Sequence, residues 1–310
     1  MARSNAVAAD GIAKFNRIKM PTNIVFSLIF IILSLMCVIP LIFVFIISLS
    51  SNESIMKIGY SFTPLKWTVD AYSYLWRARA SIGTAFFVSV FITVVGTTTG
   101  LFLNSTMGYV LSRPGFYLKR FFTMLIFIPM LFGGGLVASY MINTQFLHIG
   151  NTYWALILPI AVSSFYCIIL RTFFQTTVPD SIIESAKIDG ASQLMIFFKI
   201  VLAISLPALA TIGLFLTFAF WNDWFSTMLY IDSAHIDMYP LQYVLISIER
   251  NMEFLTRNAQ YMSPDSGASQ LPAESTRMAI VMVVVLPIAL SYPFFQKYFI
   301  SGLTIGAVKG

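Results

Sequence analysis

The chain has 310 residues, 58% of them apolar and 10% charged, and a net charge of +6. Soluble domains carry roughly 25% charged residues, so the two water-soluble domains that the length alone would allow are excluded in favour of one membrane-embedded body. The excess of positive charge needs no nucleic acid, because the basic residues sort to one side of the expected membrane spans.

Asp, Glu, Lys and Arg do not occur in 20–52, 80–112, 121–170, 200–222 or 278–296, stretches of 33, 33, 50, 23 and 19 residues. A helix needs about 20 mainly apolar residues to cross the hydrocarbon core. Four stretches hold one span each and the 50-residue stretch holds two, so the expectation is an all-α polytopic membrane protein with six transmembrane helices.

In chain order, a basic arm at 1–23 precedes a first span near 24–50. That span is too long for a signal-peptide core and no small-residue cleavage site follows it, so it is expected to stay attached. An outer segment at about 51–80 carries Trp67, Tyr72, Tyr74 and Trp76, aromatic residues suited to a membrane interface. The core, 81–300, opens with a span near 82–111. Spans near 121–144 and 153–174 follow, separated by a turn at HIGNT, 148–152. Gly133, Gly134 and Gly135 favour close helix packing over a break. A polar helix about 181–190, a fifth span near 202–230, an outer loop about 231–276 and a sixth span near 278–299 complete the core. A tail, 301–310, ends it. The Ser/Pro/Gly-rich YMSPDSGASQLPAES reads as extended loop.

Placing both termini inside puts 12 basic residues in the cytoplasm and 7 outside, the latter confined to the longer loops. N-in and C-in is the orientation this contrast favours. Cys37 and Cys167 lie within spans without metal or disulfide spacing and read as small buried apolar residues.

The stretch SIIESAKIDGASQ, 181–193, is a polar island between apolar runs. Ser181 and Glu184 have capping-box spacing, Pro179 breaks the preceding helix, and Gly190 suits a left-handed helix end. A helix of about two turns is marginal alone in water, so it packs against something, either its own bundle or a partner. In WNDW, an ionisable residue at membrane depth costs about 2.5–3.5 kcal/mol on insertion scales. One reading is a polar, aromatic-lined surface, with Trp221 and Trp224 stacking on the flat faces of a ligand while Asn222 and Asp223 accept hydrogen bonds from its hydroxyls. The other is an interfacial helix end with tryptophan anchors.

The wider pattern ESAKIDGASQLMIFFKIVLAISLPALATIGLF, 184–215, resembles the loop that defines permease subunits of binding-protein-dependent ABC importers. There Glu-Ala-Ala is followed by Gly four positions on and later by Ile-x-Leu-Pro. Glu184, Ser185, Ala186 and Gly190 match the first part, and Ile200 and Leu202 the second. Ser185 replaces an alanine, and Ala203 stands where the proline belongs, with Pro207 a turn later. RTFFQTTVPDSIIESAKIDGA, WNDWFSTMLYI and the tail YFISGLTIGAVKG resemble the carbohydrate-uptake group, specifically maltose-permease-G-like subunits. Within it the chain is most similar to permeases for plant- or alga-derived complex oligosaccharides.

The resemblance implies a type I ABC importer permease fold in the bacterial cytoplasmic (inner) membrane. It implies three kinds of partner: a second homologous permease, two copies of a cytoplasmic P-loop ATPase, and an extracellular or periplasmic sugar-binding protein. ATP and Mg belong to the ATPases, and this chain binds no cofactor and no metal. It carries no G-x-x-x-x-G-K loop. The implied coupling set is Ser181, Ile182, Ile183, Glu184, Ser185, Ala186, Asp189 and Gly190, with Glu184 facing a basic residue of the ATPase. Reversing a two-state equilibrium from 1:99 to 99:1 takes about 5.5 kcal/mol. An exposed ion pair gives roughly 0.2–1 kcal/mol, so the whole docked surface must act, with Ile182, Ile183 and Ala186 providing shape. Two rivals fit less well. A membrane enzyme needs convergent acids or histidines, whereas His148 and His235 stand alone. An ion-coupled carrier needs several intramembrane charges, whereas Asp223 is the one clear case.

Overall fold

The computed structural model describes residues 20–77, 79–258 and 274–307. Among them the fold is helical, with no strand and one isolated bridge between Ser50 and Trp67. The chain forms two compact units, one of 1–71 with 273–279 and one of 72–272 with 280–310.

In the first unit, α1 (Met20–Ser48) is apolar and exposed along almost its whole length. A surface of that kind is stable only against lipid or protein. Cys37, expected to be buried, lies on this exposed surface. The chain then turns into α2 (Asn52–Ile58), whose first turn is capped by Ser51 Oγ accepting from the Ser54 amide. Tyr60 Oη donates to Glu274 at 2.7 Å, and Ser275 Oγ lies 3.1 Å from Asn52 Oδ1.

The second unit begins within α3 (Asp70–Arg77) and is built around α4 (Arg79–Ser112). One face of α4 reads Gly96, Gly100, Asn104, Gly108, a four-residue repeat that puts all four on one side. A methyl group at Gly96 would meet the Phe220 ring at 2.6 Å, and one at Gly100 the Ala161 carbonyl oxygen at 2.9 Å. Small residues here let α7 (Tyr153–Ala161), α8 (Ser164–Thr177) and α11 (Leu206–Asn222) approach the α4 backbone.

Helices α7 and α8 form one bent pair, with an angle of 48° between them. A break at membrane depth frees backbone groups that lipid cannot satisfy. Asn104, fully buried, supplies the partners: its Nδ2 donates to Gly100 O and Ala161 O, both at 2.7 Å, and its Oδ1 accepts from the Ser163 amide at 3.1 Å.

Among the described residues three helices are long and apolar enough to cross a membrane, Met20–Ser48, Arg79–Ser112 and Glu274–Pro293, and the number reaches five if each of two bent pairs is one span. The remaining expected crossing, the third at 121–144, is in pieces: α5 (Lys119–Leu131), then α6 (Gly135–Met141) running into a π turn at Ile142–Phe146. The three glycines break this segment rather than pack it. Gly135 has φ +79°, and no atom lies within 4 Å of a methyl at 133, 134 or 135. Pro129 contributes by removing an amide donor from the last turn of α5.

The turn at 148–152 is present, with His148 and Asn151 at positive φ. After α9 (Asp180–Ile188) comes α10 (Gln193–Ile204), which meets α11 at 83°. The bend lies at Ser205, with Pro207 in the first turn of α11, where its missing amide breaks no helical bond. Ala203 in place of the family's proline therefore does not remove the bend. The fifth expected span, 202–230, stops at Asn222 and resumes as α12 (Phe225–Tyr230).

The outer region 231–276 is not all loop. Leu241–Asn258 is a helix, α13, because Leu241, Val244, Leu245 and Ile248 repeat at helical spacing; Leu241 and Leu245 are buried. The stretch 259–273, which holds most of the Ser/Pro/Gly-rich sequence, lies outside the described residues. The last helix, α14 (Glu274–Ala307), runs on past the expected span end into the tail. The basic arm before Met20 and residues 308–310 lie outside the described residues.

Candidate functional site

The polar island folds as α9, starting after Pro179 and ending in a left-handed turn at Gly190, φ +79°. The Ala191 amide donates to Ala186 O at 2.9 Å and the Gly190 amide to Lys187 O at 3.0 Å, the paired bonds of a Schellman end. The expected capping box does not form. Asp180 takes the first helical position ahead of Ser181, and no side chain caps the start.

Tertiary contact fixes that end instead. Arg113, just beyond α4, pairs with Asp180 at 3.0 Å. The same guanidinium donates to Phe174 O at 3.2 Å and to Ser112 Oγ at 2.9 Å, and it lies 5.2 Å from the Tyr109 ring centre. One side chain thus joins the ends of α4, α8 and α9. The sequence marked Arg113 only as a basic residue of a short loop, and its partner lies 67 positions away.

The helix has two faces. Ile183, 3% exposed, packs into the core with Phe174, Val178 and Ile196, and Ala186 packs against the same cluster. Ile183 is thus closed to a partner and holds α9 on its own bundle, which differs from the shape role expected of it, while Ala186 is only partly buried there. The outer face carries Ser181, Ile182, Glu184, Ser185, Ile188 and Asp189. Ile188 is 86% exposed and Ile182 41%. The resemblance implies no role for Ile188, yet it is the most exposed apolar side chain on the helix.

The WNDW residues diverge. Trp221 is buried, donates from Nε1 to Val284 O at 3.0 Å, and packs edge-on to Phe86 at 6.1 Å. Its ring is therefore closed to a sugar in this conformation. Asn222 is exposed and donates back to Phe218 O at 2.9 Å. Asp223 follows the end of α11 and accepts from the Ser226 amide at 3.2 Å, holding the start of α12. Trp224 is half-buried beneath the Arg250 guanidinium, 5.4 Å from the ring centre.

A hollow of about 570 Å³ lies nearby, lined by Tyr140, Thr144, His148, Asn151, Tyr230 and Asp232 among others. The Tyr140 and Tyr230 rings are parallel with centres 6.2 Å apart, and Asn143 Nδ2 donates to Tyr230 Oη at 3.1 Å. Asn151 Nδ2 donates to Asp232 at 2.7 Å. His235 Nδ1 lies 2.6 Å from Asp232 Oδ1, and this contact holds the carboxyl below the usual carboxylate range, although partial desolvation opposes it. The sequence disclosed only the turn beside this hollow. Among the described residues no cluster of His, Cys, Asp and Glu has the form of a metal site.

Broken apolar helices around a close-packed central helix, with the short polar α9 packed at one end of it, define a polytopic membrane protein. Residues 96–305 match the family described as binding-protein-dependent transport system inner membrane component, and the chain belongs to that family. It is 39% identical over 279 residues to the polygalacturonan/rhamnogalacturonan transport system permease protein YtcP of Bacillus subtilis (strain 168), covering 89% of this chain and 94% of the relative. It is 36% identical over 274 residues to Protein LplC of the same organism, covering 88% and 90%. It is also similar to a chain in the crystal structure of a bacterial ABC transporter involved in the import of the acidic polysaccharide alginate. That likeness has a TM-score of 0.76 and 26% identity, and it covers 89% of this chain and 96% of that one.

Proposed function

We propose that this chain is one transmembrane subunit of an ATP-driven oligosaccharide importer, forming half of the translocation pathway. It pairs with a second homologous permease, sits on two copies of a cytoplasmic P-loop ATPase that bind ATP and Mg, and receives sugar from an external binding protein. It performs no catalysis itself. The membrane is the bacterial cytoplasmic membrane, with α9 on the cytoplasmic side, in keeping with the basic residues of the adjoining short loops. Relatives named for polygalacturonan/rhamnogalacturonan transport and for import of the acidic polysaccharide alginate support a complex carbohydrate, of plant or algal origin, as cargo.

The observation that carries this reading is the two-faced α9. Its inner face is locked by Ile183 and Arg113, while its outer face offers Ile188, Ile182 and Glu184 to a partner. A soluble ATPase that seats this face moves a helix already joined to α4 and α8. Near the outer end, Asn222, Asp223 and Trp224 and the tyrosine-lined hollow offer polar and aromatic surface to passing sugar.

Glu184→Ala and Ile188→Glu test the docking face in the reconstituted importer. Both are expected to lower ATPase stimulation by the sugar-loaded binding protein, Ile188→Glu by more than tenfold because it places a charge in an apolar contact. Both should leave the thermal unfolding of the permease unchanged. Full stimulation in both variants would refute the reading.

A further inference from the structure

The ends of α5 and α8 enclose a second hollow, of about 440 Å³, lined by Lys119, Arg120, Thr123, Met124, Phe127 and Arg171. Three cations line one opening, and among the described residues none of them is in an ion pair with a carboxylate. Arg171 Nε and Thr123 Oγ1 are both buried without a hydrogen-bond partner in the described structure. Burial lowers the Lys119 ammonium from its ordinary range, and the like charges of Arg171 and Arg113 lower it further. An uncompensated buried donor costs free energy, so this arrangement calls for an anion rich in acceptor oxygens.

The lining is ordered along the helix. Lys119, Thr123 and Phe127 are spaced by four and stack on one face of α5, with Arg120 and Met124 beside them. Over about 12 Å of helix axis the surface passes from ammonium to hydroxyl to aromatic ring and thioether. Met124 and Phe127 are exposed, and the apolar run of α5 continues beyond them. Charge at one end and apolar surface at the other match a phospholipid, phosphate first and acyl chain behind. A free phosphate uses only the first half.

We propose that Lys119, Arg120, Thr123 and Arg171 form a binding site for the phosphate of an anionic phospholipid headgroup. Phosphate oxygens accept from Arg171 Nε and the Thr123 hydroxyl, Lys119 and Arg120 balance the charge, and the acyl chains lie over Met124 and Phe127. The site rests on the chain being a membrane permease, but it is independent of cargo and of the ATPase.

The full chain in vesicles of phosphatidylcholine and phosphatidylglycerol, probed with photoreactive forms of each lipid, tests it. Phosphatidylglycerol is expected to label peptides from α5 and α8 in preference to phosphatidylcholine. Labelling should fall about fivefold in Arg120→Gln, an exposed position that spares the fold, and further in K119Q/R120Q/R171Q. The charge-keeping K119R/R120K/R171K should retain it. Millimolar inorganic phosphate should leave the labelling in place. Equal labelling by the two lipids, or labelling indifferent to Arg120→Gln, would overturn the site, and loss of labelling to inorganic phosphate would overturn the lipid as its occupant. Sugar uptake is not read in this experiment, so its failure would leave the importer reading standing.

Discussion

Ile183 and Ile188 sit on one nine-residue helix and do opposite things. Ile183 fills the core beneath α9, so Ile183→Ala leaves a cavity and is expected to cost about 2–5 kcal/mol. Ile188 touches nothing that an alanine would vacate, and Ile188→Ala should stay within about 0.5 kcal/mol of the parent. Thermal unfolding of the purified chain separates the two, and equal destabilisation would contradict the assignment of faces. The sequence marked the ends of this helix through Pro179 and Gly190, because a missing amide and a left-handed φ are local properties. It did not mark the faces. Isoleucines at 182, 183 and 188 with Ala186 make no single stripe, and the choice between them is made by Arg113 and the core, which arrive from distant segments. The same holds for Trp221, whose indole is claimed by a carbonyl 63 positions away.

At the scale of elements, α4 works as a smooth rail. Gly100→Ala pushes a methyl against the Ala161 carbonyl, a backbone atom at the Asn104-braced break. Overpacking of this kind costs about 1–3 kcal/mol, so the variant should unfold at a lower temperature. Gly133→Ala, in open space, should not, and a matching loss there would mean that the glycine break is packed after all. Long uncharged runs made the spans legible, because lipid tolerates few charges. The breaks were less so: Pro159 and Gly135 hint at them, but a broken helix survives only with a side chain such as Asn104 to satisfy it. The amphipathic α13 was legible in its four-residue repeat and was obscured by the polar stretch that follows.

For the whole molecule, the proposed role is mechanical. In the proposed role, a polar helix clamped by Arg113 and seated by Ile183 would pass movement of an ATPase to α4, α8 and the bent pair α10–α11. The direct measurement is photocrosslinking in the native host, with a benzophenone amino acid placed at 188 or at 183 and the products identified by mass spectrometry. A crosslink from 188 to a P-loop ATPase is expected, and none from 183. Crosslinks from 188 confined to lipid or to this chain would mean that α9 is only a connector and would contradict it.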